Sequence, residues 1–130
     1  METAKIIKKF NSIIESLLNQ VIPLIGTKYL FYFKNIIKIN SVMPIQKFIK
    51  HVLKHKKKIL AKDPDYFLNE ELYKKELNDK VYSEDEDYYL YEILHLKTVY
   101  ISVDDESKEN VWNILHALLI LCEDYKKLKS

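Results

Sequence analysis

Apolar residues recur at spacings of three and four along most of the chain, and this pattern constrains the fold more than any other feature. The clearest case is residues 4–22, whose apolar positions fill an arc of about 140° at 100° per residue. Thr3 is a candidate N-cap, and Pro23 and Gly26 follow the pattern. We therefore predict an amphipathic helix that ends before Gly26.

Two further segments of the first half show the same period. Residues 27–39 predict a second helix, although the aromatic run 29–33 is also typical of a strand; the helical spacing decides for the helix. Residues 44–61 predict a third helix, with Pro44 at a first helical position. Lys56 falls within its apolar arc. Three explanations stay open: its stem passes the core edge, the helix bends near His55, or Lys56 meets an acid from the second half.

The second half predicts shorter elements. A turn at 63–65 starts a short helix, and amphipathic turns continue over 72–77. Residues 83–87 form an acidic run that we expect to be a solvated loop. Residues 86–100 predict another helix. The alternating stretch 98–103 suits a strand but has no partner strand, so we expect a helix end and a connector.

The last helix is expected to begin at a cap formed by Asp104, Asp105 or Ser107 and to run to about residue 127. It is apolar over most of its circumference, which is typical of a central helix or a subunit interface. Ile120 lies opposite the main stripe, so we expect it to be exposed. Cys122 lies on the stripe, where a thiol stays protonated. The sequence thus predicts an all-α, single compact domain of five or six helices over residues 1–130.

The net charge of +2 hides a basic half and an acidic half. Residues 1–62 carry 13 lysines against two acids, and residues 63–130 carry 8 lysines against 17 acids. These charges of +11 and −9 have two interpretations: the halves dock on each other, or one of them steers a partner. We favour the first. All 21 basic residues are lysines, so the bidentate forks of arginine are absent.

Several classes of function are excluded by composition. A single glycine leaves no phosphate-binding loop or dinucleotide fingerprint, and a single cysteine leaves no disulfide framework or Cys-based zinc finger. No apolar run is long enough for a membrane span, and the N-terminus has no signal-peptide pattern, which predicts an intracellular protein.

His51 and His55 have a metal-binding spacing, but the lysines around them oppose a cation, so we expect solvent-facing histidines and no metal. His95 and His116 are expected to be separate surface or boundary residues. We predict no catalytic residues, no cofactor and no enzymatic activity.

A face of the predicted 44–61 helix is the best candidate for a binding surface. Its members are Lys47, Lys50, His51, Lys54, Lys57 and Lys58. The interpretations are a solvated face, an acidic protein partner, an anionic membrane surface, or nucleic acid, with a single strand as the form that stacking would suit. For the last of these, Tyr29, Phe31 and Tyr32 would supply stacking. Self-association through the last helix, with Ile120 at the contact, is a further hypothesis.

The order of several short sequence stretches along the chain resembles that of small all-helical proteins of unknown function from nucleocytoplasmic large DNA viruses. The stretches that carry the resemblance are 10–15 with Pro23, 48–59, 63–67 and 110–115. A Leu-Ile-Gly follows Pro23 where that pattern has acidic residues. The resemblance implies an all-helical class and an origin in a large DNA virus, and it supplies no catalytic residues. We predict an interaction, adaptor or assembly protein in the host cytoplasm or virion. A Bcl-2-like viral modulator is a second resemblance, based on the apolar stretch 111–122, but its Asn-Trp-Gly-Arg signature is missing.

Overall fold

The periodic stretches of the sequence fold into helices that surround one apolar core. The computed structural model describes residues 2–68 and 87–129. The helices are α1 (Glu2–Gln20), α2 (Ile22–Ile25), α3 (Lys28–Ile39), α4 (Met43–His51), α5 (Lys56–Leu60), α6 (Asp65–Leu68), α7 (Asp87–His95), α8 (Lys97–Ser102) and α9 (Asp105–Lys129). Five of them have seven or more residues, and the described part of the chain contains no strand. The prediction of a compact all-α fold is confirmed.

α1 and α3 follow the predicted boundaries closely, whereas the short α2 between them was not predicted. α1 ends at Gln20, and the four-residue α2 carries Pro23 in its first turn. Gly26 then takes a φ of 79°, a value that L side chains rarely adopt, and its N–H donates to the carbonyl of Ile22. The run 29–33 is helical, as the three- and four-residue spacing predicts.

α1 and α9 pack along each other and build the centre of the core, with α3 and α4 beside α1. Phe10 and Phe48 meet edge to face, with their ring centroids 5.3 Å apart. The predicted stripe of α9 is buried throughout, and Trp112 and Leu121 widen it as expected. The same helix begins where the side chain of Asp104 accepts a hydrogen bond from the Ser107 N–H at 2.8 Å, so Asp104 is the cap.

The prediction of one helix over 44–61 is wrong. α4 ends at His51, a 3₁₀ turn follows over Leu53–His55, and α5 then begins at Lys56. A continuous helix would place Lys56 within the apolar arc, where an ammonium group is costly. The tighter turn lets Ile59 stay buried while Lys56 Nζ reaches Glu123 Oε2 at 2.6 Å. The position of Lys56 within the apolar arc is therefore explained by both the bend of the helix and the ion pair with an acid from the second half.

The predicted helix over 86–100 is also interrupted. Leu96 is fully buried and adopts a left-handed conformation, with φ 56°, between α7 and α8. α8 then covers most of the stretch 98–103, so the strand alternative is wrong and the helix end is confirmed. The amphipathic turns predicted over 72–77 and the acidic loop up to residue 86 lie outside the described residues; Asp87 is the first residue of α7.

The basic and acidic halves are joined by ion pairs. Lys56 pairs with Glu123, and Lys62 pairs with Glu109. Lys58 Nζ lies 3.8 Å from Asp63 and 3.5 Å from Asp65, across the boundary between the halves. These contacts support the interpretation that opposite charges help the halves dock on each other. Among the described helices, none combines the length and the apolar character that a membrane span requires.

Candidate functional site

The predicted lysine face of α4 and α5 is divided by the 3₁₀ turn. Lys50, Lys54 and Lys57 are exposed, whereas Lys47 and Lys58 are half-buried. Lys58 is engaged by two aspartates, and Lys47 and Lys54 also interact with other groups of the chain. Some lysines of this face therefore already interact with other residues of the same chain. A role of the face in partner binding stays a prediction.

The expectation that His51 faces solvent beside these lysines is wrong. His51 is only 5% exposed, because α4 turns this residue toward the interior below the 3₁₀ turn. His95 is also buried, at 5% exposure, and is not the separate surface residue that we predicted. His116 is half-buried and its Nε2 lies 2.9 Å from the carbonyl oxygen of Ile59, which confirms a boundary position.

The buried histidines belong to a cluster that the sequence did not reveal. The His55 ring lies 6.0 Å from the His95 ring and 5.7 Å from the Tyr66 ring, centroid to centroid. Tyr66 stacks on His95, and its hydroxyl lies 3.0 Å from His95 Nδ1. Burial lowers the pKa of His95 well below 6.5, and the charges of His55 and His51 lower it further. His95 is thus neutral at pH 7, and we assign the Tyr66 hydroxyl as donor to Nδ1.

Among the residues that the structure describes, no group of three or more metal-ligating side chains has a geometry suitable for a metal ion. The histidine cluster combines aromatic packing with one internal hydrogen bond. It fixes the short α6 against α7 and the 3₁₀ turn, which is a structural role.

Cys122 and Ile120 lie where the sequence predicted. Cys122 is fully buried, its thiol donates to the Leu119 carbonyl at 3.2 Å, and burial raises its pKa to about 12, so it is protonated at pH 7. Ile120 is 61% exposed on the outer side of α9. Its part in self-association stays a prediction.

A groove between α1 and α3, which we call the α1–α3 groove, was not predicted. One lobe has a volume of about 490 Å³ and the next about 450 Å³, and the two share Ser12 and Glu15. The first lobe is lined by Ala4, Ile7, Lys8, Asn11, Ser12, Glu15, Ile37, Ser41 and Val42. The second is lined by Ser12, Glu15, Ser16, Asn19, Leu30 and Lys34. The volume of each lobe is within the range of about 300–1,000 Å³ that is typical of ligand sites.

Many lysines of the first half are exposed and have no acidic partner among the residues that the structure describes. Within residues 2–68 and 87–129, the exposed lysines that form no ion pair in this half are Lys5, Lys8, Lys9, Lys38, Lys50 and Lys57. Four of these lie on α1 and α3, the two helices that form the groove. The sequence signal was the charge of the whole half, which does not show on which helices the unpaired lysines lie.

Comparisons of the chain with protein-family models, with curated proteins and with solved structures found no match. The geometry of the molecule therefore carries the functional argument.

Proposed function

We propose that this chain is a non-enzymatic interaction protein, of adaptor or assembly type, that binds an acidic protein partner through lysines of residues 1–62. The observation that carries the proposal is the set of six exposed lysines in this half without an ion pair among the described residues. In contrast, Lys56, Lys58 and Lys62 are already paired with acids of the second half. The six exposed lysines keep a positive surface available to a partner.

The test is affinity capture from the cells that produce the chain, with and without nuclease. One variant carries Lys50→Glu and Lys57→Glu on the original lysine face, and another carries Lys8→Glu and Lys38→Glu beside the groove. Both pairs are exposed, so we expect both variants to fold. The matched control is Lys126→Glu with Lys129→Glu, which makes the same charge change on the exposed end of α9.

We expect a nuclease-resistant acidic protein that is lost, by tenfold or more, in at least one variant of the first half and is retained by the α9 control. Its capture should also weaken as salt is raised, because exposed charges are screened over about 8 Å at physiological ionic strength. Equal capture by the wild type and all variants would show that these lysines only solvate the surface and would overturn the proposal.

Single-stranded nucleic acid is a second candidate partner, and one observation favours it. Phe31 is 60% exposed on the outer side of α3, and Lys34 and Lys38 are exposed on the same helix. An exposed aromatic ring beside lysines suits base stacking along a phosphate backbone. Tyr29 and Tyr32 do not share this role in full, since both are half-buried and the Tyr29 hydroxyl donates to Glu92 at 2.8 Å.

The nucleic-acid candidate is tested with a fluorescent single-stranded oligonucleotide. It requires binding with a steep salt dependence, and a loss of about 1–3 kcal/mol on Phe31→Ala. Leu24→Ala is the control, because Leu24 is a comparably exposed apolar residue on a different helix. Absence of binding at low salt would rule this candidate out.

Self-association through Ile120 and an origin in a large DNA virus remain proposals of the same rank. The first is tested by sedimentation of the wild type and of Ile120→Glu. Because Ile120 is 61% exposed, the substitution should leave the fold intact. A dimer that becomes a monomer in the variant would support an interface at α9, and a wild-type monomer at high concentration would exclude it.

A further inference from the structure

The α1–α3 groove is long enough to hold a segment of a partner protein. Its lining residues on α1 run from Ala4 to Asn19, a distance of about 22 Å at 1.5 Å per residue. The two lobes adjoin at Ser12 and Glu15, which line both of them. Glu15 reaches across to Lys34 of α3, with 3.8 Å between the charged atoms, and marks the boundary between the lobes.

The first lobe is the apolar end of the groove. Ile7, Ile37 and Val42 converge there from α1, α3 and the turn before α4, and each of them is only half-buried. Exposed Ala4 adds a small side chain at the same end. An apolar side chain of a partner that enters this lobe would complete the burial of these residues, and removing their apolar surface from water favours the complex.

Asn11 supplies a buried polar group at the same lobe. Its side chain is 95% buried, and its Nδ2 donates to the Ser41 carbonyl at 2.9 Å, which ties α1 to the turn after α3. Its Oδ1 is buried and accepts no hydrogen bond within the described residues. A buried acceptor without a donor is unfavourable, so Asn11 is a polar group of this lobe that is only half satisfied within the described residues.

One lysine lines the apolar lobe, and two more lie on the helices that form it. Lys8 lines it directly, Lys38 follows Ile37 on α3, and Lys5 follows Ala4 on α1. All three are exposed, and none forms an ion pair with another residue in the described ranges. Glu15 is the acid that lines the lobe, and Lys34 already faces it. The field at this end of the groove is therefore positive and favours a negatively charged occupant.

We infer that the α1–α3 groove binds an acidic peptide segment of a partner protein, with an apolar side chain of that segment seated among Ile7, Ile37 and Val42. Carboxylates beside the apolar anchor would meet Lys8 and Lys38. This inference rests on the proposed binding of an acidic protein. It adds the place of binding and the need for an apolar anchor, neither of which the lysines alone require.

The test uses a phage-displayed library of random 16-residue peptides, selected on the full chain. Enriched peptides are synthesised with a fluorophore, and their affinities are measured by anisotropy. The blocking variant is Ala4→Tyr, which places a ring over the apolar lobe at an exposed helical position. Its control is Asn113→Tyr, which adds the same ring at an exposed position of α9 away from the groove.

A charge comparison separates this groove from the lysine face of α4 and α5. Lys8→Glu with Lys38→Glu reverses the charge beside the groove, and Lys50→Glu with Lys57→Glu makes the same change on the lysine face. Each variant is first compared with the wild type by circular dichroism and thermal unfolding, so that a loss of affinity is not confused with a loss of fold.

The expected result is a set of acidic peptides with at least one large apolar residue. Their affinity should fall tenfold or more in Ala4→Tyr and in the Lys8/Lys38 variant, and should change less than twofold in Asn113→Tyr and in the Lys50/Lys57 variant. Replacing the apolar anchor by alanine should weaken binding as strongly as blocking the lobe.

Three outcomes would overturn the inference. If acidic peptides bind but lose affinity only in the Lys50/Lys57 variant, the groove is not the site, while the proposed function stands. If the enriched peptides are not acidic or lack an apolar residue, or if none is enriched, the groove does not take such a segment. If the wild type dimerises and Ala4→Tyr is a monomer, the groove belongs to a contact between copies of this chain.

Discussion

The hydroxyl of Tyr66 lies 3.0 Å from Nδ1 of His95, and the two rings stack with their centroids 5.6 Å apart. This contact joins α6 to α7 across 29 positions of the sequence. Both side chains are buried, so the hydrogen bond satisfies polar groups that water cannot reach. Burial, the main cause of the lowered pKa of His95, sets the protonation state in which the fold is stable.

We predict that the fold loses stability as the pH falls below 6.5. The pKa of His95 is lowered by burial first, and then by the charges of His55, His51, Lys54 and Lys97. His95 of the unfolded chain therefore becomes protonated near pH 6.5, whereas His95 of the native protein stays neutral at that pH. Stability is full above that pH and falls by up to about 1.4 kcal/mol per pH unit until the lowered pKa of His95 is reached. Urea unfolding at pH 7.5, 6.5, 5.5 and 4.5 measures the slope.

The control for this prediction is His95→Gln, which keeps a polar side chain but cannot titrate. The variant should be less stable than the wild type at pH 7.5, yet its stability should depend less on pH between 6.5 and 4.5. An equal slope in both proteins would show that groups other than His95 cause the dependence.

Tyr66→Phe tests the hydrogen bond separately from the ring stacking. The phenyl ring keeps the contacts with His95 and Phe67, but the donor to Nδ1 is removed. We expect a loss of about 0.5–1.5 kcal/mol at pH 7.5, together with a change in the ¹⁵N shift of His95 Nδ1. A stability equal to that of the wild type and an unchanged Nδ1 shift would show that the hydroxyl does not donate to this nitrogen.

The ion pair between Lys56 and Glu123 should contribute little to stability. The side chains are 41% and 38% exposed, so water screens the 2.6 Å contact. We expect Glu123→Gln to cost at most about 1 kcal/mol, and the difference from the wild type to shrink in 1 M salt. Glu106→Gln is the control, because Glu106 is exposed on α9 and forms no ion pair in the described part of the chain. A larger loss that salt does not reduce would indicate that the pair holds the 3₁₀ turn in place.

The helices could be predicted from the sequence wherever the buried residues recur every three or four positions. α1, α3 and α9 each bury one face, so their positions follow from spacing alone. The breaks at Leu53–His55 and at Leu96 do not follow from spacing, because they depend on which side chains meet after the helices pack. The histidine cluster depends on both breaks, and only a distant contact brings His95 to Tyr66.

The groove was hidden for the same reason. Asn11 is one polar residue within the pattern of α1, and its contact with Ser41 spans 30 positions. The net charge of each half of the chain follows from counting its lysines and acids. Such counts do not distinguish Lys58, which forms ion pairs, from Lys8, which forms none within the described residues. The sequence could therefore predict a basic half and a lysine face. It could not predict that the apolar lobe of the α1–α3 groove lies near lysines without an ion pair in the described residues.

Cys122 should report on unfolding of the core without altering it. It is the single cysteine of the chain, it is fully buried on α9, and its pKa is raised to about 12 by burial and by Glu123. A thiol reagent needs the thiolate and access, so at pH 8 the native protein should react at least a hundredfold more slowly than the urea-unfolded chain, whose thiol has an ordinary pKa. The labelling rate, followed by absorbance over a urea series, should rise in parallel with the loss of helical circular dichroism. Fast labelling at zero urea, with the helical signal intact, would show that the end of α9 opens locally and that Cys122 is not sealed within a single cooperative core.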